Sequence, residues 1–201
     1  MKPTRREVIE MAGYFALSAV IYFYLGRHGV APVEVVNASW VPFLPVLALP
    51  YLLQVVVSYA LIVMLSDRAL RRATVKAYFA GFAVCALAWH FYPTVMYRPE
   101  ILNPTWWNWP FRVMASLDIP TNIVPAGHIL MPVLIIWAFA IDRPRSLWWL
   151  VPCELVGTLA IVSTWQHRPI DVVMGALLAV ATGLWAGVGR LPGRASIRSV
   201  P

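Results

Sequence analysis

Charge is what this sequence has least of: 12% of its 201 residues are Asp, Glu, Lys or Arg, and only nine are acidic. A soluble domain of that length covers its surface with more polar groups, so a soluble globular fold is excluded. Cysteine is nearly absent as well. Cys85 and Cys153 both fall in apolar stretches, which excludes a disulfide framework and reads as two small buried apolar groups. The first apolar stretch lacks a small-residue cleavage site, so it is expected to stay as a helix and not to be removed as a signal peptide. No internal repeat or low-complexity run is present, which counts against a repeat-built transporter.

What is present is hydrocarbon. Hydrophobic residues make up 60% of the chain, and the mean hydropathy is +0.69. A bilayer core takes roughly 20 apolar residues per helix. The breaks between apolar runs predict six spans, over residues 8–26, 43–65, 75–93, 127–141, 147–164 and 170–189, the fourth being short. The expected fold is therefore all-α, a polytopic six-helix transmembrane bundle occupying residues 1–189, followed by a flexible tail over 190–201.

The net charge of +7 does not point to nucleic acid, because the basic residues form no single patch interleaved with aromatics. They alternate between the ends of the spans. Lys2, Arg5, Arg6, Arg68, Arg71, Arg72, Lys76, Arg143, Arg145, Arg190, Arg194 and Arg198 fall on one side, leaving Arg27, Arg98, Arg112 and Arg168 for the other. By the positive-inside rule the richer side, with both termini, is cytoplasmic. Arg98, His128, His167 and Asp171 then share the non-cytoplasmic face. The long connection from Tyr92 to Pro125 carries Trp106, Trp107, Trp109 and Phe111 and is expected to lie along the outer headgroups as an aromatic anchor.

Histidine is scarce, with four in the chain, and two of them stand at the outer mouths of spans. His167 and Asp171 are four positions apart, so at the start of the sixth span they stack on one helical face. A carboxylate there can accept the imidazole Nδ1–H and leave Nε2 as a directed lone pair, a nucleophile. The same pattern also describes a histidine and an aspartate that only cap a helix N-terminus. His128 follows Gly127 at the start of the fourth span, where backbone can approach an anion and a second histidine can donate a proton. Arg98 lies just outside the third span, and a guanidinium fork suits two phosphoryl oxygens.

These residues resemble the motifs of the type 2 phosphatidic acid phosphatase superfamily. Arg98-Pro99, Pro125-Ala126-Gly127-His128 and Ser163-Thr164 followed by His167 and Asp171 come in the family's order. The run from Asp118 to His128 is similar to that of the inositol phosphorylceramide synthase-like branch. Three positions depart from the pattern: Phe91, beside His90, stands at the motif lysine, Ala126 at the motif serine and Thr164 at the motif arginine. The spacing from Ser163 to His167 is also shorter than in the commonest form.

The resemblance implies a lipid phosphatase that uses neither metal nor cofactor. It assigns His167 as nucleophile, Asp171 as the group that orients it and His128 as the acid that protonates the leaving alcohol. Arg98, with Gly127 and the helix N-termini, would hold the phosphoryl oxygens. Arg168 and His90 are candidates to replace the missing cations. A lipid phosphate and the surrounding membrane lipids are the expected partners, nucleic acid is not, and no sequence feature fixes an oligomeric state. The alternatives are a phosphotransferase moving a headgroup between lipids and a non-catalytic lipid-binding or transport protein. Glu154, inside the fifth span near its cytoplasmic end, is expected to be an ion-pair or hydrogen-bond partner inside the bundle, with an arginine of a cytoplasmic loop as one candidate, and Gln54 is expected to bond between helices.

Overall fold

The computed structural model describes residues 3–190, apart from 29–31, 33, 37, 102, 104 and 119. Residues 191–201, nearly all of the expected tail, lie outside the described residues. The described chain forms seven α-helices: α1 (Arg5–His28), α2 (Ala48–Leu61), α3 (Arg68–Phe91), α4 (Trp109–Leu117), α5 (Leu130–Asp142), α6 (Leu147–Ser163) and α7 (Pro169–Ala186). Two short strands, β1 (Glu34–Val36) and β2 (Thr94–Met96), pair in parallel.

Counting the 3-10 turns that extend α2 and α6, five helices are long and apolar enough to cross a membrane, and the stretch Gly127–Asp142 is a shorter apolar helix. Their outward residues are apolar. Val56, Leu87, Leu159, Leu177 and Trp185 are all exposed, which suits hydrocarbon and not water. The short helix α5 sits in the middle, with Leu134, Ile135, Ala138 and Phe139 fully buried against α3 and α7. A helix that is apolar all round belongs inside a bundle.

Helix ends follow local chemistry more than hydropathy. The expected third span begins at 75, yet α3 starts at Arg68 because the Asp67 carboxylate accepts the Leu70 N–H at 2.9 Å and caps it. Basic side chains thus occupy the first turns of α3, ahead of its apolar stretch. At α7, Pro169 takes the first helical position, where its missing N–H is harmless, and Gly187 ends the helix at φ +83°. The tryptophan-rich connection, expected as an aromatic anchor, contains α4; Trp106, Trp107 and Trp109 are exposed along it.

The connections gather at two ends. Val36, Ala38, Met96, Ile123 and Trp165 pack into one cluster, so the loops after α1, α3 and α6 meet at one end of the bundle. At the other end the Ser66 N–H donates to Asp142 at 2.7 Å, Arg143 donates to the Ser66 hydroxyl at 3.2 Å, and Glu7 pairs with Arg68 and Arg71. Helix α3, 24 residues or roughly 36 Å long, runs between these ends.

Glu154 is a hydrogen-bond partner inside the bundle, and among the described residues its partners are on α2 and not a loop arginine: its carboxylate accepts from Ser58 at 2.8 Å and from the Gln54 amide at 2.9 Å. The reason is packing: Gly157, one turn further along α6, leaves the space that the Gln54 side chain fills. Cys153 is exposed on the surface of α6, whereas Cys85 is buried as expected.

Candidate active site

The two histidines meet. His128 stands in the 3-10 turn that leads into α5, and His167 in the short link between α6 and α7. Their rings approach through His128 Nδ1 and His167 Nε2, 3.2 Å apart, although the residues are separated by 39 positions. On its far side His167 Nδ1 lies 2.7 Å from the Ile123 carbonyl, and His128 Nε2 lies 3.2 Å from the Tyr51 hydroxyl.

These contacts decide the protons. A carbonyl only accepts, so His167 must carry its hydrogen on Nδ1, which leaves Nε2 as a lone pair. His128 must then donate from Nδ1, and its Nε2 is free to accept from Tyr51. One line of donors results: Tyr51 O–H to His128, His128 N–H to His167, His167 N–H to Ile123.

His167 is 2% exposed. Burial, and after it the neighbouring His128, hold its imidazole well below the usual histidine range; the Ile123 hydrogen bond opposes this and Arg98 adds to it. A neutral ring with an available lone pair is the state a nucleophile needs.

Asp171 does not orient His167. It is fully buried, and its carboxylate accepts the Arg168 backbone N–H at 2.8 Å and the Arg168 side chain at 2.9 and 3.2 Å. The expected partner position on Nδ1 belongs to the Ile123 carbonyl. Asp171 instead closes the first turn of α7, as its place at the third helical position favours. Its backbone carbonyl also accepts the Ala126 N–H at 3.1 Å, which ties α7 to the segment carrying His128.

The two arginines are likewise committed. Arg168 holds Asp171. Arg98 donates to the Asp118 carbonyl at 2.8 Å, to its carboxylate at 3.1 Å and to Gln166 at 2.6 Å, while its buried Nε has no hydrogen-bond partner. Asp118 also accepts from Tyr22 at 2.7 Å. Arg98 therefore braces the two histidine-bearing segments against each other.

At the position of the motif lysine, His90 and Phe91 are both exposed, Phe91 at 75%. The side chain of α3 that reaches a histidine-bearing segment is Trp89, whose indole N–H donates to the Pro125 carbonyl at 3.2 Å. Gly127 is needed for that contact, because a Cβ there would lie 2.7 Å from the Trp89 ring.

Among the described residues, two hold left-handed backbone without being glycine, Asn122 at φ 60° and Trp165 at φ 52°. One lies in each histidine-bearing segment, and each costs about 1–3 kcal/mol. Tertiary bonds hold them there: the Asn122 amide donates to the Tyr22 carbonyl at 2.9 Å, and the Trp165 indole donates to the Val41 carbonyl at 3.0 Å.

Beside His128 a cavity of about 500 Å³ runs down between α1, α2 and α3. Phe15, Leu52, Val55 and Phe82 line its depth, and Tyr22, Tyr51, Asp118 and His128 form its polar head. Tyr22 and Tyr51 came without a motif; each presents a ring edge to His128 at 5.5 Å between centroids. Among the described residues, no three His, Cys, Asp or Glu side chains gather as metal ligands do.

No family model, curated protein or solved structure matches this chain.

Proposed function

We propose that this multi-pass membrane protein is a phosphatase of lipid phosphates, with six crossings, cytoplasmic termini and its histidine pair at the non-cytoplasmic face. The observation that carries the proposal is the directed pair itself: a buried neutral imidazole whose Nε2 lone pair is held at rest by the N–H of a second imidazole, so that nucleophile and acid stand side by side. In this reading His167 Nε2 attacks phosphorus, the bond to the leaving oxygen breaks, and His128 Nδ1–H protonates that oxygen. Water then attacks the phosphohistidine and releases phosphate. The unpaired Arg98 Nε–H is a donor left for a phosphoryl oxygen, where charge gathers.

The lipid part of the reading rests on the cavity, whose apolar walls begin at His128 and suit a hydrocarbon tail. The type 2 phosphatidic acid phosphatase resemblance agrees with it. Purified protein in detergent should release phosphate from phosphatidic acid or a polyprenyl phosphate or diphosphate without added divalent ions. His167→Ala should abolish release, and undiminished turnover by that variant would eliminate the nucleophile.

A second reading is transfer of the phosphoryl-bearing headgroup to another lipid alcohol. Asp118 and Tyr22, at the polar head of the cavity, favour it because they can bond an acceptor hydroxyl beside His128. Labelled phosphate found on lipid and not in water decides for transfer. Tight binding of lipid phosphate with no turnover decides for a non-catalytic protein.

A further inference from the structure

Tyr51 has no place in the motifs, yet it is the outermost donor in the line that ends at Ile123. We propose that the Tyr51 hydroxyl is the positioning residue of the general acid: it fixes the tautomer of His128 and is the route by which a proton reaches and leaves His128 Nε2. This rests on the phosphatase reading above.

The argument begins with proton accounting. The Ile123 carbonyl forces the hydrogen of His167 onto Nδ1, and that in turn forces His128 to donate from Nδ1. If His128 gave that hydrogen to a leaving oxygen with nothing on Nε2, it would become an imidazolate, an anion desolvated in an apolar site. It must first gain a proton on Nε2. The atom within hydrogen-bonding distance of Nε2 is the Tyr51 oxygen, at 3.2 Å.

A phenol hydroxyl both donates and accepts, so it serves every step. A substrate monoanion gives its proton to the Tyr51 oxygen as the Tyr51 hydrogen moves to His128 Nε2, and becomes the dianion. The imidazolium then passes Nδ1–H to the leaving oxygen as the nitrogen–phosphorus bond forms and the phosphorus–oxygen bond breaks. His128 is left in its other neutral form, with Nε2–H donating back to Tyr51 and Nδ1 bare. That bare nitrogen accepts the proton of the attacking water, and Nε2 returns its own through Tyr51. Tyr51 ends as it began.

Geometry separates Tyr51 from Tyr22. Both rings meet His128 edge to face at 5.5 Å, but the Tyr22 hydroxyl donates to Asp118 while the Tyr51 hydroxyl meets the imidazole. Tyr51 also lines the cavity, so its oxygen is reachable by a substrate head held there. The groups around His128 are thus His167, Tyr22 and Tyr51, with Asp118 and Arg98 behind them.

The test compares leaving groups in the full-length protein, using a long-chain alkyl monophosphate and the diphosphate of the same chain. An alkoxide needs a proton to depart and a lipid phosphate does not. In single-turnover experiments that read release of the first lipid product, Tyr51→Phe should slow phosphohistidine formation about tenfold or more on the monophosphate and less than about twofold on the diphosphate. Equal losses on the two substrates, or none on the monophosphate, overturn the proposal.

A readout independent of turnover is the 15N spectrum of the histidine side chains. Wild-type His128 should show a protonated Nδ1 and a hydrogen-bonded, unprotonated Nε2, and Tyr51→Phe should shift the Nε2 resonance. An unshifted Nε2 overturns the contact. If Tyr51→Phe fails to fold, 3-fluorotyrosine at position 51 keeps the shape, and its more acidic hydroxyl should move Nε2 towards the protonated end; no movement is again fatal. Should the wild type hydrolyse neither substrate, the phosphatase reading fails, and the spectrum still decides whether Tyr51 sets the tautomer.

Discussion

Arg98 and Asp118 form a nearly buried ion pair, 3.1 Å from guanidinium to carboxylate, that spans the two segments holding the histidines. Arg98 reaches Gln166, the neighbour of His167, while Asp118 begins the run that ends at His128. The residue that resemblance assigns to phosphate is in this resting state a clamp.

Breaking that clamp from one side should be costly. Asp118→Ala leaves a buried guanidinium without its carboxylate, and losses of about 3–5 kcal/mol are usual for such a change. Thermal unfolding in detergent should show a clearly lower midpoint, whereas Asp118→Asn, which keeps one acceptor oxygen, should fall between the two.

Acid should expose the state of His167. Its proton affinity is lowered in the folded protein, so the unfolded chain binds the proton first as pH drops below the ordinary value of 6.5. Folding stability from this group is therefore full above that value and declines as pH falls towards the lower folded value. Activity on a diphosphate substrate should persist below the ordinary histidine value of 6.5, with its acid limb beneath that range. A limb centred at or above 6.5 contradicts the buried neutral ring.

Gly175 on α7 should not tolerate a side chain, since a Cβ there would sit 2.4 Å from the Ala126 carbonyl oxygen. The oxygen it would meet is backbone and cannot turn aside, so Gly175→Ala must shift α7 away from the His128 segment. Overpacking of this kind costs about 1–3 kcal/mol, and activity should drop further than stability because the 3.2 Å histidine contact widens. Parallel melting and turnover measurements separate the two.

The Glu154 cluster should matter for stability and not for chemistry. Glu154→Ala strands Gln54 and Ser58 on α2 and should cost about 1–3 kcal/mol, while the folded fraction keeps normal kcat. Glu154→Gln, which can still accept from Ser58, should lose less.

Much of this was legible in sequence. Apolar runs gave the long helices, and the spacing of basic residues separated the ends at which the loops gather. His128 and His167 were readable as a pair because scarce polar residues stood at span mouths. The partner of His167 was not readable, because Asp171 at i+4 looks right on a helical wheel. The residues before Pro169 are not helical: His167 lies in a turn whose direction is set by the left-handed Trp165, and the accepting group is a backbone carbonyl that every residue carries. Tyr22 and Tyr51 were hidden for a different reason, since a tyrosine within an apolar helix carries no mark of what it faces.

The cluster of Val36, Met96, Ile123 and Trp165 has a consequence for synthesis. It draws on connections from the first, middle and last thirds of the polypeptide, and one of its members is only two residues before His167. Before His167 is made, Ile123 and His128 already exist but lack the imidazole that joins them. The contact between the two rings therefore forms only after α1 to α6 have been synthesised.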